Sequence, residues 1–376
     1  MQLQITDRIP YGNVCAVETV TEAAVNVVRF AAAAHGGIER LWFCFRIDNP
    51  SPETLPAETR IEMKHVTSML GNSRDGIPVI RYDGGEWTRL SAGTEVMRTD
   101  GHRSLFWNIA TPGTYAEIAW CYPYGEAEID TLIGDCHGFW NNNEIGVSQN
   151  GNAIKRLSNS YGEKNSTTPG IYITARQHSA EVSGSWVLDG FLRRMANAGA
   201  EAPLIWCVPL TNIDGILAGD YGKNPYPHDL NRAWDPRAPM RHETKLFMAD
   251  QNIWKDRCAP ALFLDFHSPS MGEKDIYCFT SKTAAEHFPL LAPLINELKS
   301  RLIPFGSTDF ERHADYKPFD VWGQHQNATE HAENDLHIPA ISFETSYYMA
   351  GNKIMTIPDY RHAGTLIAEA VLAAVR

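Results

Sequence analysis

Of the fourteen histidines in this chain, one is followed by a carboxylate three residues on, in His178-Ser-Ala-Glu181. Residues three apart in a first helical turn are neighbours, about 5–6 Å apart between Cβ atoms. An imidazole nitrogen and a carboxylate oxygen placed there can share one metal ion. The same pair also reads as a plain helix start, with Glu181 favoured by the helix dipole and His178 satisfied in the loop. Context raises the metal reading, because a strand-like run, Ile171 to Ala175, precedes the pair and a helical pattern opens at Val182. A second histidine, His267, closes the apolar run Phe263-Leu-Asp-Phe-His. Alone it would pass for a hydrogen-bonded core residue. Together the three residues supply two imidazoles and one carboxylate, the donor set of a catalytic zinc with an open fourth position. Glu344, in Ile341-Ser-Phe-Glu-Thr-Ser, ends another apolar run. Burying a carboxylate costs several kcal/mol unless it is paired or at work. Glu344 is therefore either a strand-end ion-pair partner or a general base for a metal-activated water. The last element is Asp229-Leu-Asn231-Arg232-Ala-Trp. A guanidinium beside a side-chain amide can clamp a carboxylate through several directed hydrogen bonds, although such a string also starts helices.

These residues need a scaffold, and the chain changes rhythm to provide one. Up to about Pro123 it reads as short strands and turns. Leu41 to Ile47 is nearly all apolar, Arg60-Ile-Glu-Met-Lys alternates, and Pro78-Val-Ile-Arg-Tyr and Glu86-Trp-Thr-Arg-Leu flank Asp83-Gly-Gly, a hairpin signal. Leu105 to Ile109 and Thr114 to Trp120 follow. This pattern predicts an all-β antiparallel sandwich over residues 1–125. Beyond it, the apolar runs Gly170 to Ala175, Leu204 to Pro209, Ala261 to Phe266 and Pro339 to Phe343 alternate with helical patterns at Val182 to Ala196, Glu243 to Lys255, Ala284 to Arg301 and Tyr360 to Val375. Continuous apolar strands between helices predict an α/β domain over residues 126–376, its mixed, largely parallel sheet covered by helices on both faces. Sites in open α/β sheets form at the carboxyl ends of the strands, which is where His178, His267 and Glu344 fall.

Composition narrows the function classes. With 33 Lys and Arg against 45 Asp and Glu, the net charge is −12, which argues against a nucleic-acid partner. The seven cysteines are odd in number and form no CxxC, so neither a disulfide framework nor a thiolate metal site is expected. No apolar run approaches the ~20 residues that span a bilayer, and the first residues lack the pattern of a signal peptide. The expectation is a cytoplasmic protein with no membrane partner. GxSxG, P-loop and HExxH motifs are absent from the sequence, leaving serine-hydrolase, nucleotide and thermolysin-type readings unsupported.

With all four elements in order, the chain resembles the zinc metallocarboxypeptidase family, and most closely its cytosolic carboxypeptidase branch, in which a β-sandwich precedes the catalytic domain. Ala175-Arg-Gln-His-Ser-Ala-Glu followed by Ser183-Gly-Ser-Trp-Val-Leu-Asp-Gly resembles that branch's first metal motif and helix. Pro209-Leu-Thr-Asn-Ile-Asp-Gly and Asp229-Leu-Asn-Arg-Ala-Trp resemble its substrate-carboxylate segment, and Phe266-His-Ser and Phe343-Glu-Thr-Ser its third ligand and catalytic glutamate. In the first half, Trp42-Phe-Cys-Phe-Arg-Ile and Trp120-Cys-Tyr-Pro-Tyr resemble the sandwich. The resemblance implies one Zn2+ per chain on His178, Glu181 and His267, with Glu344 as the proton carrier. It implies that Asn231 and Arg232 hold the carboxylate of a peptide or protein C-terminus.

Two departures stand out. Where the branch carries an arginine that polarises the scissile carbonyl, this chain has Gly219-Asp-Tyr-Gly-Lys223, so Lys223 is the candidate substitute for the developing oxyanion. Where branch members acting on acidic tails carry a basic residue, this chain has Glu330. The nearest candidate for the family's substrate-side tyrosine is Tyr316. Between Asp309 and Asp335 seven acids face only Arg312 and Lys317, an approach that repels polyglutamate-like tails. Two other readings stay open: an N-acyl amino acid deacylase on the same fold, and a binding protein without catalysis. The sequence does not fix an oligomeric state.

Overall fold

The structure, a computed structural model, describes residues 2–35, 37, 40–66, 76–224, 228–269, 272–306, 309–313 and 326–375. The chain divides into two compact units. One holds the residues up to Pro123, with Gly215–Tyr221 and a short stretch before Lys274; the other holds Tyr124–Asp214, Gly222–Pro269 and Lys274–Arg376.

The first unit stacks two five-stranded sheets. One sheet runs Gln4–Thr6, Cys44–Asp48, Tyr115–Ala119, Val79–Tyr82, Thr88–Arg89; the other runs Cys15–Glu22, Val25–Ala31, Glu58–Met63, Arg103–Ala110, Thr94–Met97. Alternation places Thr59, Ile61 and Met63 inward. The core is aromatic: the Phe30 and Phe43 rings lie 5.0 Å apart, and Phe43 meets Trp120 at 5.9 Å. The hairpin at Asp83-Gly84 has positive φ at both positions and closes with Gly85 N–H donating to Tyr82 O at 2.8 Å, the twist-matched two-residue turn. Two details differ from expectation. Val25–Ala31 pairs parallel to Glu58–Met63, because alternation fixes which face a side chain takes and leaves strand direction open. The apolar run from Leu41 enters its ladder only at Cys44, while the Trp42 indole donates to Tyr11 O. The segment Gly215–Tyr221 is tied into this unit by Asn13, whose amide donates to Gly219 O at 2.8 Å and Ala33 O at 3.1 Å.

The second unit is built on an eight-stranded sheet in the order Asn141–Val147, Ala153–Ser158, Leu204–Val208, Pro169–Ala175, Ala259–His267, Ala340–Thr345, Ile276–Thr280, Glu311–His313. Its four central strands are mutually parallel. They are the four apolar runs of the sequence, and they are buried almost throughout, as strands covered on both faces must be. The polar hairpin at one side pairs antiparallel, as does Ile276–Thr280 against the Glu344 strand. Helices run over Glu126–Asp135, Val182–Ala198, His242–Lys255, Leu291–Arg301, Ala328–Asn334 and Ile357–Ala374. The pattern from Ala284 to Arg301 is not one helix. It stops at His287 and resumes at Leu291, because Pro289 offers no N–H and clashes with a continuing turn. Pro293 is tolerated in the first turn of the second piece, where backbone N–H groups lack helical partners anyway.

All seven cysteines are free thiols, and five are buried. Among the described residues, no helix is long and apolar enough to cross a membrane.

The long helix Val182–Ala198 is what sets its first turn against the strand ends. Ser183 Oγ donates to Thr345 O at 2.8 Å and lies 2.6 Å from Ser268 Oγ. At Gly184 an added Cβ would sit 2.8 Å from His267 O, so only glycine permits this approach. Gly184→Ala should therefore cost the second unit about 1–3 kcal/mol, the usual penalty for overpacking, read from the chemical-denaturation midpoint. An unchanged midpoint would mean that the helix can retreat freely from the strand.

Candidate metal centre

The pieces converge at the carboxyl ends of three neighbouring parallel strands. Pro169–Ala175 runs out into the loop carrying His178 and Glu181; Ala259–His267 ends in its histidine; Ala340–Thr345 carries Glu344 directly opposite His267 in register. The loop between Ala175 and Val182 is stiffened from within. Arg176, at φ +63° and buried, donates through Nε to Ser179 O at 2.7 Å and through Nη1 to Tyr124 O at 2.8 Å. Gly222 lies against this loop at φ +101°, and a Cβ there would fall 2.3 Å from Ser179 N. Only a residue without a side chain fits in that place and conformation.

Glu181 stands at the N-cap of the helix but does not cap it. Its carboxylate turns to the histidines instead. Oε1 lies 2.9 Å from His178 Nδ1 and Oε2 lies 2.7 Å from His267 Nδ1. The two rings are 5.0 Å apart between centroids, and all three residues are buried. One ligand atom from each lies within 4.8 Å of the others. Among the described residues, this is the one such cluster of His, Cys, Asp and Glu.

The far nitrogens of both rings are also held, by residues that the sequence reading did not assign. His178 Nε2 lies 3.1 Å from Asp229 Oδ1, and His267 Nε2 lies 2.7 Å from Asp265 Oδ2. A carboxylate behind each imidazole fixes its tautomer and orientation and raises its basicity, the usual support of a metal-binding histidine. Asp265 is readable in principle: it sits two residues before His267 in a strand, so period two puts both on one face. Asp229 lies within a motif the sequence singles out, but nothing local shows which histidine its side chain will meet.

Burial would lower the pKa of both histidines, yet the flanking carboxylates outweigh it. Glu181 and Asp229 raise His178, and Asp265 with Glu181 raises His267 well above the ordinary value. The same contacts, against burial, hold Glu181 and Asp229 far below the usual carboxylate range. Glu344 is the opposite case. Burial, aided by the Glu181 charge and opposed by His267 and Lys223, lifts its carboxyl to about 7. Its Oε2 is shut off from solvent and, among the described residues, has no hydrogen-bond partner. A buried polar atom left unsatisfied costs about 1–3 kcal/mol, which marks this oxygen as one kept for another partner.

The remaining sequence candidates fall as follows. Lys223 places Nζ 3.9 Å from Glu181 Oε1, so its charge is at the cluster. Asn231 and Arg232 form a short 3-10 turn capped by Asp229, whose carboxylate accepts from Asn231 N–H at 2.8 Å. The Asn231 amide nitrogen lies 3.3 Å from His267 Nε2, and its oxygen accepts from Ala328 N–H at 3.1 Å. Glu330 is engaged structurally. With Asn327 it closes the capping box of Ala328–Asn334, its Oε2 accepting from Asn327 N–H at 2.9 Å. Tyr316, Asp315, Lys317 and Asp320 lie outside the described residues. The donor set suits a zinc-like cation: two imidazole nitrogens and one carboxylate, each oriented by a neighbour, with the Glu344 carboxyl beside them.

Known proteins share both sequence and fold with this chain. Residues 167–301 match the succinylglutamate desuccinylase/aspartoacylase catalytic domain family. Cytosolic carboxypeptidase 2 of Danio rerio is 25% identical over 264 residues, which covers 61% of this chain and 36% of that protein. Its Xenopus tropicalis counterpart is 28% identical over 269 residues, covering 61% and 27%. The chain thus spans about a third of the length of these relatives. A metallo-carboxypeptidase from Burkholderia cenocepacia superposes with a TM-score of 0.79 at 19% identity, covering 100% of this chain and 99% of that one. A metallo-carboxypeptidase from Pseudomonas aeruginosa, in complex with (2-guanidinoethylmercapto)succinic acid, gives 0.73 at 18% identity, with 98% of each chain covered. The chain has the metallocarboxypeptidase fold. The resemblance to cytosolic carboxypeptidases thus holds in sequence, and the fold is the one shared with the solved metallo-carboxypeptidases.

In the metal-free chain both nitrogens of each imidazole face carboxylates, which favour ring protons that a cation must displace. Zinc binding should release protons at pH 7, and its affinity should fall as pH is lowered. Calorimetric titration in buffers of different ionisation enthalpy reads this directly; a buffer-independent heat would contradict it.

Proposed function

We propose that the chain is a zinc-dependent metallocarboxypeptidase that hydrolyses the C-terminal peptide bond of a peptide or protein tail. The observation that carries this reading is the pairing of the His178–Glu181–His267 cluster with an unsatisfied, near-neutral carboxyl at Glu344 on the adjacent strand. A zinc ion held by those three residues would supply a Lewis acid that polarises a carbonyl and acidifies water.

The chain's own groups do the rest. Asp229 and Asp265 keep the two imidazoles turned toward the cluster. Glu344, poised near neutrality, takes a proton from the attacking water and returns it to the leaving amine; positioned acid–base groups of matched pKa contribute roughly 10²–10⁴-fold. Lys223 sets a positive charge at the cluster where negative charge develops on the carbonyl oxygen. Arg232 and the Asn231 amide receive the substrate's free carboxylate, which restricts the reaction to a chain end. A cytoplasmic setting accords with the kinship to cytosolic carboxypeptidases.

A second reading has its own support. The match of residues 167–301 to the desuccinylase/aspartoacylase domain fits a deacylase that cleaves N-acyl amino acids, substrates that also carry a free carboxylate beside the scissile amide. A panel of peptides set against N-acetyl and N-succinyl amino acids, with zinc present, separates the two. Turnover of the acyl amino acids alone would reject the peptidase.

Glu344→Gln should leave zinc bound while lowering kcat by roughly 10²–10⁴-fold; near-normal turnover would remove Glu344 from proton transfer. Arg232→Ala should weaken substrates with a free C-terminal carboxylate and spare any residual cleavage of amidated peptides. Equal losses on both would overturn its role as carboxylate clamp.

A further inference from the structure

We propose that Gln177 is a positioning residue of the metal centre: its amide, oriented by the Trp234 indole, locks Asp265 so that His267 presents Nδ1, and it links that geometry to the loop carrying Arg232. The inference rests on the metal-binding reading above and goes beyond it to residues that touch neither metal nor substrate.

Gln177, Trp234 and Thr174 are fully buried, and Asp265 nearly so. An indole N–H can only donate. Trp234 Nε1 donates to Gln177 Oε1 at 2.7 Å, so the amide's NH2 end must point the other way. There it donates to Asp265 Oδ2. The second carboxylate oxygen, Oδ1, accepts from Thr174 Oγ1 at 2.8 Å. With both oxygens engaged, the Asp265 carboxylate has no freedom to rotate, and Oδ2 is fixed 2.7 Å from His267 Nε2. A ring pinned at Nε2 turns its other nitrogen toward Glu181. Each group in the chain has its donor or acceptor sense set by the one before it, and the first is an unambiguous donor.

Trp234 also belongs to another structure. It stands two residues beyond Arg232, and its backbone N–H donates to Gln326 O at 3.1 Å, next to the Asn327 cap. The loop that carries the carboxylate clamp and the strand that carries the third ligand therefore share one buried line of hydrogen bonds. A shift of that loop reaches His267 without crossing solvent.

The test is zinc affinity, measured on purified full chains by competition with a chromophoric chelator. Gln177→Met keeps the volume and removes both hydrogen bonds. It should lose roughly 10–100-fold in zinc affinity, the range typical of such supporting groups, with an unchanged circular dichroism spectrum. The visible absorption of the cobalt-loaded protein should shift, which a purely structural role would not require. Thr174→Val removes the other donor to Asp265 and serves if Gln177→Met fails to fold; it should show a loss of the same sign. Zinc affinity within twofold of wild type in these variants would overturn the inference alone. A wild-type chain that holds no zinc would overturn the metal reading and this inference together.

Discussion

One carboxylate organises the second unit. Glu181 sits between two imidazoles, one oxygen to each, in a place with almost no solvent. Three buried ionisable groups within 4.8 Å are tolerable only because each charge is answered by a neighbour, and removing any one leaves its partners uncompensated at a cost of several kcal/mol. That requirement dictates the surroundings. The helix after Glu181 must come close enough to bring it over His267, hence Gly184. The loop before it must be braced, hence Arg176. Each imidazole must be held from behind, hence Asp229 and Asp265.

Charge is distributed unevenly around this cluster, and the unevenness is chemically useful. The two histidines, Glu181, Asp229 and Asp265 compensate one another. Glu344 is left over, close enough to feel the cluster and without a hydrogen-bond partner for Oε2. Burial lifts its carboxyl to about 7, the range that suits a proton carrier at neutral pH. The same low-dielectric setting thus produces a strongly acidic carboxyl in Glu181 and a weakly acidic one in Glu344.

How much of this the sequence reveals depends on how far each signal reaches. Apolar runs and helical periods are local, so the four central strands and three of the four helical patterns emerge within a residue or three of their observed limits. The strand-end positions of His178, His267 and Glu344 follow from the same runs. The edge strand Asn141–Val147 does not emerge, since a strand facing water needs no apolar pattern and owes its form to pairing with Ala153–Ser158. The helix break at Pro289 is written in the sequence but hidden by the apolar period around it. Asp229, Gln177 and Trp234 could not be assigned to the cluster, because their partners lie 51 to 88 residues away in the chain. Glu330, singled out by the resemblance, also closes a helix cap that its spacing from Asn327 makes local.

The strand bearing Glu344 lies between Ala259–His267 and Ile276–Thr280, parallel to one and antiparallel to the other, yet it comes later in the chain than both. During synthesis His178, Glu181 and His267 leave the ribosome well before Glu344 does. Until Ala340–Thr345 arrives, its two neighbours have no ladder between them, and the sheet has a gap where its centre will be. The last central strand to enter is the one that carries Glu344. Closing the sheet and setting Glu344 beside the cluster are therefore a single event, so a chain whose sheet is still open holds His178, Glu181 and His267 without the carboxyl that faces them.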